Sequence, residues 1–83
     1  MRVVLGAILG MTATSAFAQS NDEVYTLYRN SALSPSMRIH VGTFDSADGK
    51  DYNAENCNLA ADLFQHQDGV QTRFWCETGR YHE

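Results

Sequence analysis

Hydrophobic and polar positions change their spacing four times along this chain. Val3 to Met11 carries no charge and is built from Val3, Val4, Leu5, Ala7, Ile8, Leu9 and Met11. Val24-Tyr25-Thr26-Leu27-Tyr28-Arg29 is β-branched and aromatic and predicts a first strand. From Met37 to Phe44, Met37, Ile39 and Val41 alternate with Arg38, His40 and Gly42, the period-two pattern of a strand with one buried face. From Asn53 to Gln67 the period lengthens. Cys57, Ala60, Ala61 and Phe64 recur at helical spacing, with Leu63 flanking that stripe and Leu59 at its border. Glu55, Asn58, Asp62, Gln65 and His66 fall on the opposite side and are expected to face water. Thr72 to Cys76 predicts a third strand, and Thr78 to Glu83 a polar tail.

The breaks between these runs have turn chemistry. Asn30 to Ser36 holds three serines and Pro35, the one proline of the chain, and predicts a loop. Asp45 to Asp51 is a turn segment. Asp51 or Asn53 is suited to cap the helix by accepting from a free backbone N–H. Asp68-Gly69 fits the helix stop, with Gly69 at positive φ. The order is β-β-α-β, an α+β domain with one helix on a three-stranded sheet. Strands one and two are expected to pair antiparallel. Strands two and three, joined through the helix, should run in the same direction with a right-handed crossover. Whether strand one sits between the other two is left open by the pattern, with a slight lean to that order.

The first apolar run reads as an export signal rather than structure. One positive charge, Arg2, precedes it, and Ala16-Phe17-Ala18 places small residues at the two cleavage-site positions. Cleavage is expected before Gln19, so residues 1–18 form the signal peptide and 19–83 a single small domain. A membrane-spanning helix needs about 20 apolar residues, more than this run supplies. No cysteine stands at the cleavage point, so no lipid anchor is indicated, and no Asn-x-Ser/Thr triplet occurs for N-glycosylation.

Composition then narrows the function. Without the signal, five basic residues face ten acidic ones, a net charge of −5 with histidine neutral. Such a domain has no electrostatic footprint for nucleic acid or for anionic lipid. Its two cysteines, Cys57 and Cys76, lie on the helix stripe and on the third strand. Both faces must meet to bury the stripe, and an exported pair usually bonds, so a Cys57–Cys76 disulfide is expected. A Cys-x-x-Cys redox pair is absent. Zinc could draw on Cys57, Cys76, His66 and His82, but no close ligand pair has the usual spacing. No metal or cofactor is therefore expected.

The strand residues pointing away from the helix are the remaining candidates. If Ile39, Val41 and Cys76 face inward, then Arg38, His40, Arg73, Trp75 and Glu77 face outward, joined by Tyr25, Tyr28 or Arg29 according to register. This would be a cationic, aromatic sheet face on an acidic protein, a composition like that of binding hot spots. Arg38, His40, Arg73 and Trp75 are the candidate anchors. The competing structural reading is that Arg stems shield Trp75 or that the tail folds over it. Asp45, Asp48, Asp51 and Glu55 fail the calcium-loop template and read as a solvated turn with helix-start acids. His66 follows Asp62 by four residues near the helix end, which explains it as a side-chain pair. His40 is the one histidine within a strand, without a nucleophile or carboxylate at a motif spacing.

Tyr28-Arg29-Asn30-Ser31, Arg38-Ile39-His40-Val41 with Thr43-Phe44-Asp45, Tyr52-Asn53, Asn56-Cys57 with Ala60-Ala61 and Leu63-Phe64, and Gly69-Val70 with Arg73-Phe74-Trp75-Cys76-Glu77 carry a resemblance. The chain resembles small exported proteins of unknown function from Gram-negative bacteria. That resemblance implies a periplasmic or secreted location and disulfide bonding, and no catalytic residue. The expected function is non-catalytic binding of an exported protein or small ligand through the open sheet face. The alternatives are an inhibitor or accessory subunit adding an edge strand to a partner sheet, and a small enzyme or metal site around His40.

Overall fold

The computed structural model describes residues 20–83, so the expected signal peptide and its cleavage site lie outside the described residues. A short 3-10 turn over Asn21–Glu23 leads into β1 (Tyr25–Arg29), then β2 (Ile39–Phe44), helix α1 (Lys50–Gln65) and β3 (Phe74–Thr78). The sheet order is β2-β1-β3. Both outer strands pair antiparallel to β1, so β2 and β3 run in the same direction with β1 between them. Among the described residues, no helix is long and apolar enough to cross a membrane.

Register assigns the faces. Leu27 lies opposite Gly42 and Cys76, and Arg29 opposite Ile39 and Phe74. This is the helix side, because Cys76 is disulfide-bonded to Cys57 of α1 across a Cα–Cα distance of 6.2 Å. Phe64 of α1 stacks on Phe74 of β3 at 5.4 Å between ring centroids. Leu27 and Cys57 are fully buried here. Tyr25 and Arg29 share this side by register, so Tyr28 alone of the three undecided β1 residues joins the other face.

The alternation expected along Met37 to Phe44 fails at one residue. Leu27 pairs with Gly42 but Tyr28 pairs with His40, which leaves Val41 as the extra residue of a β-bulge. Val41, expected to face inward, is 36% exposed. Ile39 stays on the helix side only because the bulge resets the period.

Two further expectations about α1 are corrected. The helix starts earlier than its apolar stripe, at Lys50, with Gly49 at the cap position and no side-chain cap. Neither Asp51 nor Asn53 caps it. Asn53 is instead buried one turn in. Its Oδ1 accepts from Ser46 N–H at 2.9 Å, and its Nδ2 donates to the carbonyls of Glu23 (2.8 Å) and Ser46 (3.1 Å). One amide thus ties the helix to the preceding turn and to the 3-10 turn that leads into β1. Gln65, expected to face water, is half-buried. Its Nε2 donates to the Thr72 carbonyl and its Oε1 accepts from Phe74 N–H, both at 2.9 Å, so it docks the strand that follows. Gly69 takes the positive φ anticipated for it, +82°.

Candidate functional site

The strand face turned away from α1 carries Thr26 and Tyr28 of β1, His40 and Thr43 of β2, and Trp75 and Glu77 of β3. Among the described residues no second layer of helix or sheet covers it, yet Thr26 and Tyr28 are 0% and 1% exposed. Long side chains and the segment after β3 close the centre.

That segment is fixed at Gly79. Its N–H donates to the Val24 carbonyl, and its own carbonyl accepts from Thr26 Oγ1 at 2.6 Å. Gly79 has φ +103°, and a Cβ there would stand 3.1 Å from Asn21 Nδ2. A side chain at this position is disfavoured by both conformation and space. Arg80 N–H then donates to Asn21 Oδ1 at 2.9 Å, and Arg80 Nη1 reaches Asp45 at 3.2 Å. The chain turns back so that Tyr81 lies against Tyr28 (6.1 Å) and His40 (5.1 Å between ring centroids). His82 N–H donates to Tyr28 Oη at 3.4 Å.

Arg38 holds the other side of this arrangement. Its guanidinium stands 4.3 Å over the Tyr28 ring. Nη2 and Nε donate to the two carboxylate oxygens of Glu77, at 2.6 and 3.4 Å, and Nη1 donates to the His82 carbonyl at 2.9 Å. A planar fork matches a carboxylate in this way while its face stacks on an aromatic ring. Glu77 Oε2 also accepts from Trp75 Nε1 at 2.7 Å. The Arg38 hydrogen bond, followed by that of Trp75, holds the Glu77 carboxyl below its ordinary range. The same Glu77 bond raises Arg38 above its own. Trp75 stacks on Tyr28 at 5.9 Å, and Arg73 lies over the indole at 5.3 Å.

All four residues singled out from the sequence, Arg38, His40, Arg73 and Trp75, therefore lie on one face. Their environments differ. Arg38 is committed to Glu77 and to the last residues, and Trp75 is half-buried between Tyr28 and Arg73. Arg73 and His40 are exposed, with His40 Nε2 2.8 Å from Thr43 Oγ1. Tyr28, left to register by the sequence, is the ring that Arg38, Trp75 and Tyr81 surround, and the residue that sequence reading passed over is Tyr81, set down as part of a polar tail. An aromatic residue two positions past a glycine that turns the chain was the available signal for Tyr81.

Among the described residues no pocket opens on this or any other face. The disulfide removes both sulfurs as metal ligands, and no three His, Cys, Asp or Glu side chains among the described residues converge on a common point. His66 pairs with Asp62 of its own helix at 3.2 Å. What the arrangement offers chemically is a stacked aromatic surface with directed cations at its rim. Comparison with known proteins yields no match, since no family model, curated protein or solved structure is significantly similar to the chain.

Proposed function

We propose that this is a small exported, non-catalytic binding protein that works in the periplasm or outside the cell. Its contact surface is the face carrying Arg38, His40, Arg73 and Trp75. The export reading rests on the Met1–Ala18 pattern and its resemblance to small exported proteins of unknown function from Gram-negative bacteria. The Cys57–Cys76 bond is in keeping with an oxidising compartment.

One observation carries the binding reading. On a domain of net charge −5, two arginines and the only tryptophan gather on one side of the sheet. Arg73 lies exposed over the indole, and among the described residues no carboxylate pairs with it. Trp and Arg are the residues that dominate binding energy at protein interfaces. An acidic partner, or an acidic group on a ligand, is the complement of this rim.

The test is capture from a periplasmic extract on the immobilised domain, with Arg73→Glu as the paired variant. Arg73 is exposed, so reversing its charge leaves the fold intact. Retention of the same proteins by wild type and variant would sink the reading, and their loss from the variant would support it. A second reading, strand addition to a partner sheet, is favoured by the sheet order, which among the described residues leaves one side of β2 and one side of β3 without a strand neighbour. Partner capture that ignores Arg73→Glu but fails when a proline replaces Thr43 would identify that mode.

A further inference from the structure

We propose that the outer sheet face is a receptor for an extended peptide bearing an aromatic residue, and that the chain's own Arg80–Glu83 occupies it as a tethered competitor. This rests on the binding reading above and names the partner chemistry and regulation of the same face.

The last residues already make the contacts such a peptide would make. A phenol ring lies against Tyr28 and His40, the next residue's N–H is donated to Tyr28 Oη, and its carbonyl accepts from Arg38 Nη1. An aromatic side chain followed by a backbone donor and acceptor is a peptide's signature, and none of the three contacts depends on covalent attachment. The anchor point is separate from the occupant. Gly79 is held by two backbone-directed bonds to Val24 and Thr26, whereas Tyr81, His82 and Glu83 are all exposed to some degree, Tyr81 by 43%. A rigid anchor followed by a partly solvated segment lets that segment leave without disturbing the sheet. Tethering on a few residues gives the occupant an effective concentration in the millimolar range. A free peptide must outcompete that, so its apparent affinity falls by the fraction of faces left open.

The probe is the amidated peptide Gly-Arg-Tyr-His-Glu, with Gly-Arg-Ala-His-Glu as control, titrated into the full chain. Emission from Trp75, the single tryptophan, and calorimetry report binding. Two variants loosen the competitor by different routes. Tyr81→Ala removes the ring, and His82→Pro keeps the ring but deletes the N–H given to Tyr28. Both should bind the tyrosine peptide about tenfold more tightly than wild type, the gain when a competitor filling roughly nine-tenths of the faces is removed. The alanine peptide should bind none of the three. Equal affinity in wild type and both variants would show that the tail is no competitor. No binding by either variant, with its circular dichroism unchanged, would show that the face is no peptide receptor. Either result overturns this proposal but leaves the binding reading standing if Arg73-dependent capture persists. Loss of that capture as well removes both.

Discussion

On the helix side of β1, Leu27 lies opposite Cys76, and this side is closed by the bond from Cys76 to Cys57 and by the stacked rings of Phe64 and Phe74. On the other side, Thr26 and Tyr28 are equally buried, but under a glycine carbonyl, a guanidinium, an indole and a second tyrosine. The first side is closed by a covalent bond and ring stacking, with the amides of Asn53 and Gln65 tying backbone groups at its edges. The second is held by directed polar and aromatic contacts, several of them made by residues that remain partly in water. The difference separates two tasks in a domain too small for two cores. Both faces bury side chains of β1, and the exchange we propose belongs to the second, whose cover is made in part by exposed residues.

Breaking the covalent side should produce the largest effect. The disulfide spans a sequence separation of 19 residues. In the chain-entropy treatment a loop of that length is worth about 3 kcal/mol. The double variant Cys57→Ala, Cys76→Ala should lose that amount in urea unfolding, with Tm lower by on the order of 10–20 °C. Below its lower midpoint it should keep the native emission of Trp75, because the indole faces the other side of the sheet. A change in that emission before unfolding would mean the two faces are not independent.

Asn53 offers a sharper and smaller test of the same side. Asn53→Ala leaves the Ser46 N–H and the Glu23 carbonyl without their partner in a buried site. A group stranded in this way costs about 2 kcal/mol. The loss should appear as faster amide exchange at Ser46 and in the first turn of α1. Exchange unchanged there, with stability unaltered, would mean that water replaces the amide and that Asn53 is not the tie described.

Most of the helix side was legible in the sequence because its signals are periodic. The Cys57, Ala60, Ala61, Phe64 spacing located α1, and the parity of Cys76 with Phe74 located the sulfur that meets it. Asn53 and Gln65 were misread for one reason. Helical periodicity assigns a residue to a face but says nothing of a carbonyl or N–H arriving from another part of the chain. An amide at the edge of the stripe is recruited by whichever backbone group lacks a partner. Val41 was misread because a bulge adds a residue without altering the composition, so every face assignment on the far side of it depends on register alone. The candidate face was legible in its strand residues and illegible in its cover. Arg38, His40, Arg73 and Trp75 follow from alternation. Tyr81 belongs to no element, and its place depends on the turn at Gly79.

The smallest effect expected concerns pH and belongs to the exchangeable side. Glu77 accepts from Arg38 and Trp75 at once, and its carboxyl is held below the ordinary glutamate range of about 4.3 by the first and then the second of these bonds. A carboxylate whose folded value is depressed adds stability above its unfolded value, and that contribution fades as pH falls through the folded one. The Arg38 fork and the tail contact it shares should therefore be intact at pH 6 and weaken below about pH 4.3. The effect on unfolding is small, because the pair is partly exposed and such pairs contribute little. The effect on Trp75 emission should be plain, since its indole N–H donates to the group being protonated. In Glu77→Gln the acid transition of that emission should vanish while the disulfide side unfolds as before. A transition that survives in Glu77→Gln would assign it to another group and leave Arg38 without the pH-dependent partner that distinguishes this face from the covalent one.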